Sequence, residues 1–253
     1  MENKDQTHSN KLTRVGTKMA NENIPTVDLS PFFTNGDEDG KRRAKEKISQ
    51  ASSEYGFFNV VNHGVPLALI NQAMKLSKMF FDTPDEEKLK IFVLRLGWLS
   101  PATWASKQDR VLYCLKILEE LFTYLTKTAQ LMESIITECL GLPPNFLKEY
   151  NHDRSWDFMA TFRYFPATET ENNGVSEHED GNPITFVVQD EIGGPEVRKD
   201  GQWIHVTPIE GTLVVNVGDV IQLIEPDELD RVDHIGLDLT DLLELDYKLG
   251  PGL

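Results

Sequence analysis

The chain has 253 residues, of which 40% are hydrophobic, enough for one large globular domain or for a medium domain and a small one. Its formal net charge of −16 argues against nucleic acid or an anionic membrane as its main partner. No apolar run approaches the roughly 18 residues of a membrane-spanning helix, so we expect no membrane association of that kind.

Residues 1–23 are polar and lack the apolar stretch of a signal peptide, so the sequence predicts a disordered leader. The two cysteines, Cys114 and Cys139, fall in a helical pattern without the spacing of metal ligands. Such cysteines are typical of reduced thiols in a cytoplasmic protein. We therefore expect a cytoplasmic location.

The first part of the chain, residues 24–150, carries mainly helical patterns around two short strands. The end of the longest helix is predicted at Gly141, because glycine followed by prolines terminates helices. We expect an irregular segment over 91–110, between the later helices. The predicted elements are strands at Ile24–Leu29 and within Tyr55–Pro66, and helices at Arg42–Tyr55, Leu67–Phe81 and Val111–Leu140.

After Trp156 the hydrophobic period shortens, and short runs rich in β-forming residues alternate with glycine-containing turns. Helices followed by closely spaced strands indicate an α+β fold, with a helical N-terminal region packed on an antiparallel sandwich or jelly roll. The predicted strands are Phe158–Phe165, Ile184–Gln189, Glu196–Arg198, Trp203–Val206 and Thr212–Asn216.

The most informative motif is His178-Glu-Asp180, together with His234, which follows after 53 intervening residues. On an extended segment, alternate side chains project from one face, so His178 and Asp180 would point the same way. Two histidines and one carboxylate form the facial triad that holds non-haem Fe(II) and leaves positions open for oxygen and a co-substrate. The alternative is a polar turn that follows Gly174.

Several stretches together resemble the plant Fe(II)/2-oxoglutarate-dependent dioxygenases, a family that includes flavonol synthases and gibberellin oxidases. The resemblance covers roughly residues 24–90 and 111–222. The matching stretches are Ile24–Leu29, Tyr55–Val65, Arg163–Pro166, Ser176–Asn182, Gln189–Asp190, Val197–Arg198, Gly201–Trp203 and Asn216–Asp219.

The resemblance implies a double-stranded β-helix, or jelly roll, that binds Fe(II) through His178, Asp180 and His234. It implies that 2-oxoglutarate is decarboxylated to succinate while O2 is used to hydroxylate or desaturate a small plant metabolite or hormone, with ascorbate as reductant. A monomer is expected. The chain would divide into a leader (1–23), an N-terminal helical dioxygenase region (24–150), a dioxygenase core (151–222) and an atypical acidic tail (223–253).

The tail departs from the family pattern. It holds nine acidic and two basic residues, a net charge of −7. Glu244 and Asp246 stand where the family has the Arg-x-Ser that binds the distal carboxylate of 2-oxoglutarate, and an acid there would repel a dicarboxylate. The chain stops at Leu253, where the family normally continues, so we expect a jelly roll that is incomplete at its C-terminus. A second hypothesis is therefore a catalytically impaired, truncated member that at most binds a metal or a partner.

Arg163 and Tyr164 are candidates for binding the co-substrate. Arg163 shares a predicted strand face with Phe165 and would contact an anionic ligand, although a salt bridge to an acid is the alternative. Phe165 itself replaces a tyrosine of the family pattern. His63, in Asn-His-Gly, is expected to cap a turn.

Overall fold

The computed structural model describes residues 23–86, 88, 105–151, 154, 157–164 and 174–224, with the backbone alone for 105–114 and Leu223. Nearly all of the predicted leader and tail lie outside this range. The helices are α1 (Ser30–Phe33), α2 (Glu38–Tyr55), α3 (Leu67–Phe81), α4 (Ala105–Cys139), α5 (Phe146–Tyr150) and α6 (Asp219–Leu223). The strands are β1 (Thr26–Asp28), β2 (Phe57–Val61), β3 (Ile184–Val187), β4 (Glu196–Lys199), β5 (Gln202–His205) and β6 (Leu213–Val217).

A four-stranded sheet with the order β1-β2-β6-β3 organises the molecule, and β4 and β5 form a separate hairpin. Strand β6 is antiparallel to both neighbours, with Asn216 opposite Phe57 on β2 and opposite Thr185 on β3. The sheet therefore crosses the predicted boundary at residue 150. The N-terminal region supplies two strands as well as helices.

One face of this sheet packs against helices. Phe58 and Val60 of β2 and Val215 of β6 are fully buried there, in one cluster with Ile48 of α2 and Met132 of α4. Burying an aromatic or branched side chain of this size contributes about 1.5–3 kcal/mol. This face supplies most of the apolar burial in the described part of the chain.

The opposite face packs against the hairpin. Because side chains alternate across a strand, Val214 points away from the helices, and it joins Val197 and Val206 in a second, smaller cluster. Phe57 and Val187 are only partly buried against that cluster. The layer between sheet and hairpin thus buries few apolar side chains.

The helix boundaries follow local sequence signals. The Asp37 side chain accepts a hydrogen bond from the Gly40 amide at 2.9 Å, which caps the first turn of α2. Gly141, with φ +67°, follows the end of α4, as predicted. Helix α4 begins at Ala105, inside the segment predicted to be irregular, because extending an established helix costs much less than nucleating one.

The predicted strand at Phe158–Phe165 is not observed within residues 157–164. Phe158 and Phe162 are 79% and 71% exposed, so the apolar alternation does not mark a buried strand face there. A strand also needs a neighbour that pairs with its backbone, and alternation alone does not supply one. The other four predicted strands of this region are confirmed, with ends shifted by one or two residues.

His63 stabilises the turn between β2 and α3, as predicted. Its Nδ1 accepts from the Val65 amide at 3.2 Å, and its Nε2 lies 3.2 Å from the Gly211 carbonyl, to which it donates. Burial lowers the pKa of His63, and the bond to the Gly211 carbonyl opposes that shift. The neutral ring therefore fits this turn.

Among the described helices, none combines the length and the apolar character needed to cross a bilayer.

Candidate metal centre

The loop Ser176–Asn182, termed the metal-site loop, precedes β3 and is held by the end of β6. It is not itself part of a strand. The Asp219 amide donates to the Asp180 carbonyl at 2.9 Å, and the Gly218 amide donates to the Pro183 carbonyl at 3.1 Å. Backbone hydrogen bonds to the end of β6 therefore position the loop that carries His178 and Asp180.

His178 is exposed, with one ring nitrogen bonded to the loop backbone and the other directed toward Asp180. Its Nδ1 lies 2.8 Å from the Ser176 carbonyl, which can only accept, so Nδ1 carries the proton. In the neutral ring the lone pair is then on Nε2, which lies 3.5 Å from Asp180 Oδ1. A backbone carbonyl that fixes the tautomer in this way is typical of metal-ligating histidines.

Asp180 also has one oxygen engaged and one available. Its Oδ2 accepts from Nδ2 of Asn216 at 2.7 Å, while Oδ1 faces His178. A neutral imidazole nitrogen and a carboxylate oxygen are both ligand atoms that suit divalent iron. The pair thus fits the predicted metal in chemistry and in separation, and the residues around it satisfy the remaining polar atoms.

Gly218 makes the close contact between strand and loop possible. A Cβ atom at this position would lie 1.8 Å from the Asn182 carbonyl oxygen and 2.6 Å from the Asp180 carbonyl oxygen. The φ of Gly218 is −82°, which any residue adopts, so the requirement is for space and not for an unusual backbone conformation.

A second connection joins the loop to the β4–β5 hairpin. Arg198 on β4 forms an ion pair with Glu177, the neighbour of His178, and lies over the Trp203 ring with its guanidinium carbon 5.9 Å from the centroid. Both partners of the ion pair are more than half exposed, so its contribution is small.

The structure brings together two of the three predicted ligands. The third, His234, lies outside the described residues, so the triad remains a prediction. Within the part of the chain that the structure describes, no group of three or more histidine, cysteine, aspartate or glutamate side chains is arranged to hold a metal ion.

The two predicted co-substrate residues lie on the segment 157–164. Arg163 forms an ion pair with Asp82, just after α3, at 2.6 Å, which corresponds to the alternative that the sequence left open. Tyr164 is 55% exposed and stacks on Phe162 with ring centroids 6.4 Å apart. Their role toward 2-oxoglutarate stays a prediction.

Sequence reasoning did not assign a role to Asn216 or Gly218, although both lie in the Asn216–Asp219 stretch that carries part of the resemblance. Nothing in the local pattern connects Asn216 with Asp180, which is 36 positions away. Only the pairing of β3 with β6 places them side by side.

Two family models match the chain. One is described as the 2OG-Fe(II) oxygenase superfamily and covers residues 156–241. The other, described as the N-terminal part of a non-haem dioxygenase in morphine synthesis, covers residues 24–107. The metal-site loop lies within the first of these matches.

Curated relatives point to the same family as the two family models. The chain is 29% identical to deacetoxyvindoline 4-hydroxylase of Catharanthus roseus over 83% of its own length and 58% of that protein. It is 30% identical to feruloyl CoA ortho-hydroxylase 1 of Arabidopsis thaliana, over 87% of its own length and 68% of that protein. The chain spans about three fifths of the length of the first of these relatives.

The fold resembles the crystal structure of JOX2 in complex with 2OG, Fe and JA, with a TM-score of 0.61 and 22% identity, over 80% of this chain and 66% of that one. This likeness confirms the predicted fold class, an α+β protein with a jelly roll. Together with the two family models and relatives at about 30% identity, it shows that the chain belongs to the 2OG-Fe(II) oxygenase superfamily.

Proposed function

We propose that this protein oxidises a small organic molecule, by hydroxylation or desaturation, with Fe(II) as cofactor and 2-oxoglutarate and O2 as co-substrates. The observation that carries the proposal is the convergence of His178 Nε2 and Asp180 Oδ1, 3.5 Å apart, with each remaining polar atom of the two side chains engaged by the protein. His234 is the proposed third ligand.

The roles of the protein's own groups follow from their contacts. His178 and Asp180 would hold the metal, which when bound supplies oxygen activation driven by oxidative decarboxylation of 2-oxoglutarate. The Ser176 carbonyl keeps the proton on His178 Nδ1, so that Nε2 stays available as a metal ligand. The Asp219 amide fixes the backbone at Asp180.

The substrate class is inferred from the relatives. Two similar proteins are named as hydroxylases of deacetoxyvindoline and of feruloyl CoA, which supports a small plant metabolite or hormone as the substrate.

The test is an assay of co-substrate turnover. Full-length protein is supplied with Fe(II), ascorbate and 2-oxoglutarate, and succinate is measured with and without a panel of plant phenolics, alkaloids and hormones. We expect succinate release that rises with one substrate class and is lost in His178→Ala and Asp180→Ala. Absence of both succinate and 2-oxoglutarate binding by calorimetry would contradict the proposal.

A second candidate is a metal-binding member without turnover. It is favoured by one sequence observation, the acids Glu244 and Asp246 at the positions where the family has its cationic anchor. Binding of Co(II) without detectable binding of 2-oxoglutarate would support this candidate over the oxidase. Substitution of both acids by the family's arginine and serine would then be expected to restore 2-oxoglutarate binding.

A further inference from the structure

The Asn216 side chain contacts the carboxylate of Asp180. It lies on β6, on the same face as Val214, and its register partners are Phe57 on one side and Thr185 on the other. From this position its Nδ2 reaches Asp180 Oδ2 at 2.7 Å, a short bond for an amide donor.

This bond fixes a degree of freedom that the backbone leaves open. The terminal torsion of an aspartate is broad, so the plane of an unconstrained carboxylate can rotate relative to His178. With Oδ2 held by Asn216, Oδ1 is the oxygen that faces His178 Nε2. The orientation of the carboxylate plane is then fixed, with one oxygen held by Asn216 and the other available to a metal.

The chemical type of the donor matters as well. A lysine or arginine at position 216 would orient the carboxylate equally well, but its positive charge would repel a bound cation and compete for Asp180. A neutral amide orients the carboxylate without adding a positive charge beside the metal. The donor thus combines a short bond with less repulsion of a cation than a charged side chain would cause.

We propose that Asn216 is a positioning residue for the metal site, acting through Asp180 and not by contact with the metal or the substrate. This inference rests on the proposed function only in that Asp180 binds the metal. Partners that orient metal ligands typically account for about 10–100-fold in metal affinity.

The test compares Asn216→Leu, which has a similar volume without a donor, with the control Thr185→Val. Thr185 lies directly opposite Asn216 and exchanges hydrogen bonds with Asn182 in the same loop, at 3.1 and 3.2 Å. The control therefore removes a hydrogen bond from the metal-site loop but leaves the Asn216–Asp180 bond in place. Asn216→Ala serves as a second variant should the leucine prevent folding.

Metal-free protein is titrated with Co(II) alone, followed by calorimetry and by the visible absorption of the bound ion. We expect about 10–100-fold weaker binding and an altered spectrum in Asn216→Leu, with affinity and spectrum close to wild type in Thr185→Val. Equal affinity of Asn216→Leu and wild type would overturn the proposal, as would an equal loss in the control.

A second measurement does not depend on the metal. The NMR chemical shift of the Asp180 carboxylate carbon, which responds to the hydrogen bond that Oδ2 accepts, is followed in the metal-free proteins. We expect a changed shift in Asn216→Leu and not in Thr185→Val, and an unchanged shift in Asn216→Leu would refute the positioning role. Wild-type protein that binds no Co(II) would contradict the proposed function, while the carboxylate shifts would still decide on Asn216.

Discussion

The two faces of the central sheet differ in how they are covered. Toward the helices, Phe58, Val60 and Val215 lie in an extensive apolar cluster. Toward the hairpin, the buried apolar cluster is smaller and consists of Ile24, Val197, Val206 and Val214. One face is built for stability, and the other leaves the end of β6 and β3 open for the metal-site loop.

Two polar side chains next to the metal-site loop lie on the hairpin face. Asn216 and Thr185 occupy the hairpin face of the sheet at the end next to the metal-site loop. Polar groups at those positions would be costly on the helical face, where water has no access and each would need a protein partner. The hairpin face therefore accommodates the site. The larger apolar burial on the helical face compensates for the small apolar burial on the hairpin face.

The largest expected effect is a difference in the loss of stability between substitutions at two adjacent residues of β2. Phe58→Ala removes a fully buried ring from the helical face, and we expect it to lower the free energy of unfolding by about 3–5 kcal/mol. Phe57→Ala on the hairpin face should cost about 2 kcal/mol, because that ring is only partly buried. Urea unfolding followed by circular dichroism measures both, and equal losses would show that the two faces do not differ.

Gly218→Ala tests how closely strand and loop approach on the hairpin face. The added methyl group would overlap the carbonyl oxygens of Asn182 and Asp180, so we expect a loss of about 1–3 kcal/mol in the free energy of unfolding and weaker Co(II) binding. Gly181→Ala is the control, since a Cβ there meets nothing within 4 Å, and it should change stability by less than about 0.5 kcal/mol. Full Co(II) affinity in Gly218→Ala would argue against a tight clamp.

The buried turn at His63 predicts a dependence on pH. Its pKa is lowered by folding, so the unfolded chain binds more protons as the pH falls below about 6.5. Stability from this group is therefore complete above that pH and declines below it, by at most about 1.4 kcal/mol per pH unit. Unfolding in urea between about pH 7.5 and pH 5.5 should show a smaller slope in His63→Gln than in wild type, and identical slopes would contradict the assignment.

The smallest effect is expected at the contact between hairpin and metal-site loop. Both side chains of the Arg198–Glu177 ion pair are more than half exposed. A double-mutant cycle with Arg198→Ala and Glu177→Ala should give a coupling energy below about 1 kcal/mol that decreases with added salt. A coupling of several kcal/mol would mean that the hairpin contributes more to the loop than the comparison of faces indicates.

Much of the local structure could be predicted from the chain. The predicted and observed bounds of the helix at Leu67–Phe81 are the same. The turn at His63 and the glycine that follows α4 were predicted from residue type. The strand at Phe158–Phe165 was predicted wrongly, because alternation indicates a face but not a pairing partner. The start of α4 was missed, because helix extension depends on the adjoining turns more than on local composition.

The sequence by itself determined the chemistry of the candidate site. His178 and Asp180 are two positions apart, and that spacing alone brings an imidazole and a carboxylate onto one side of a short loop. Tertiary structure decided which atoms are available. Asn216, Gly218 and Asp219 act on this loop only because β3 pairs with β6, and such pairing between distant segments is set by the packing of the whole sheet and not by the residues near the motif.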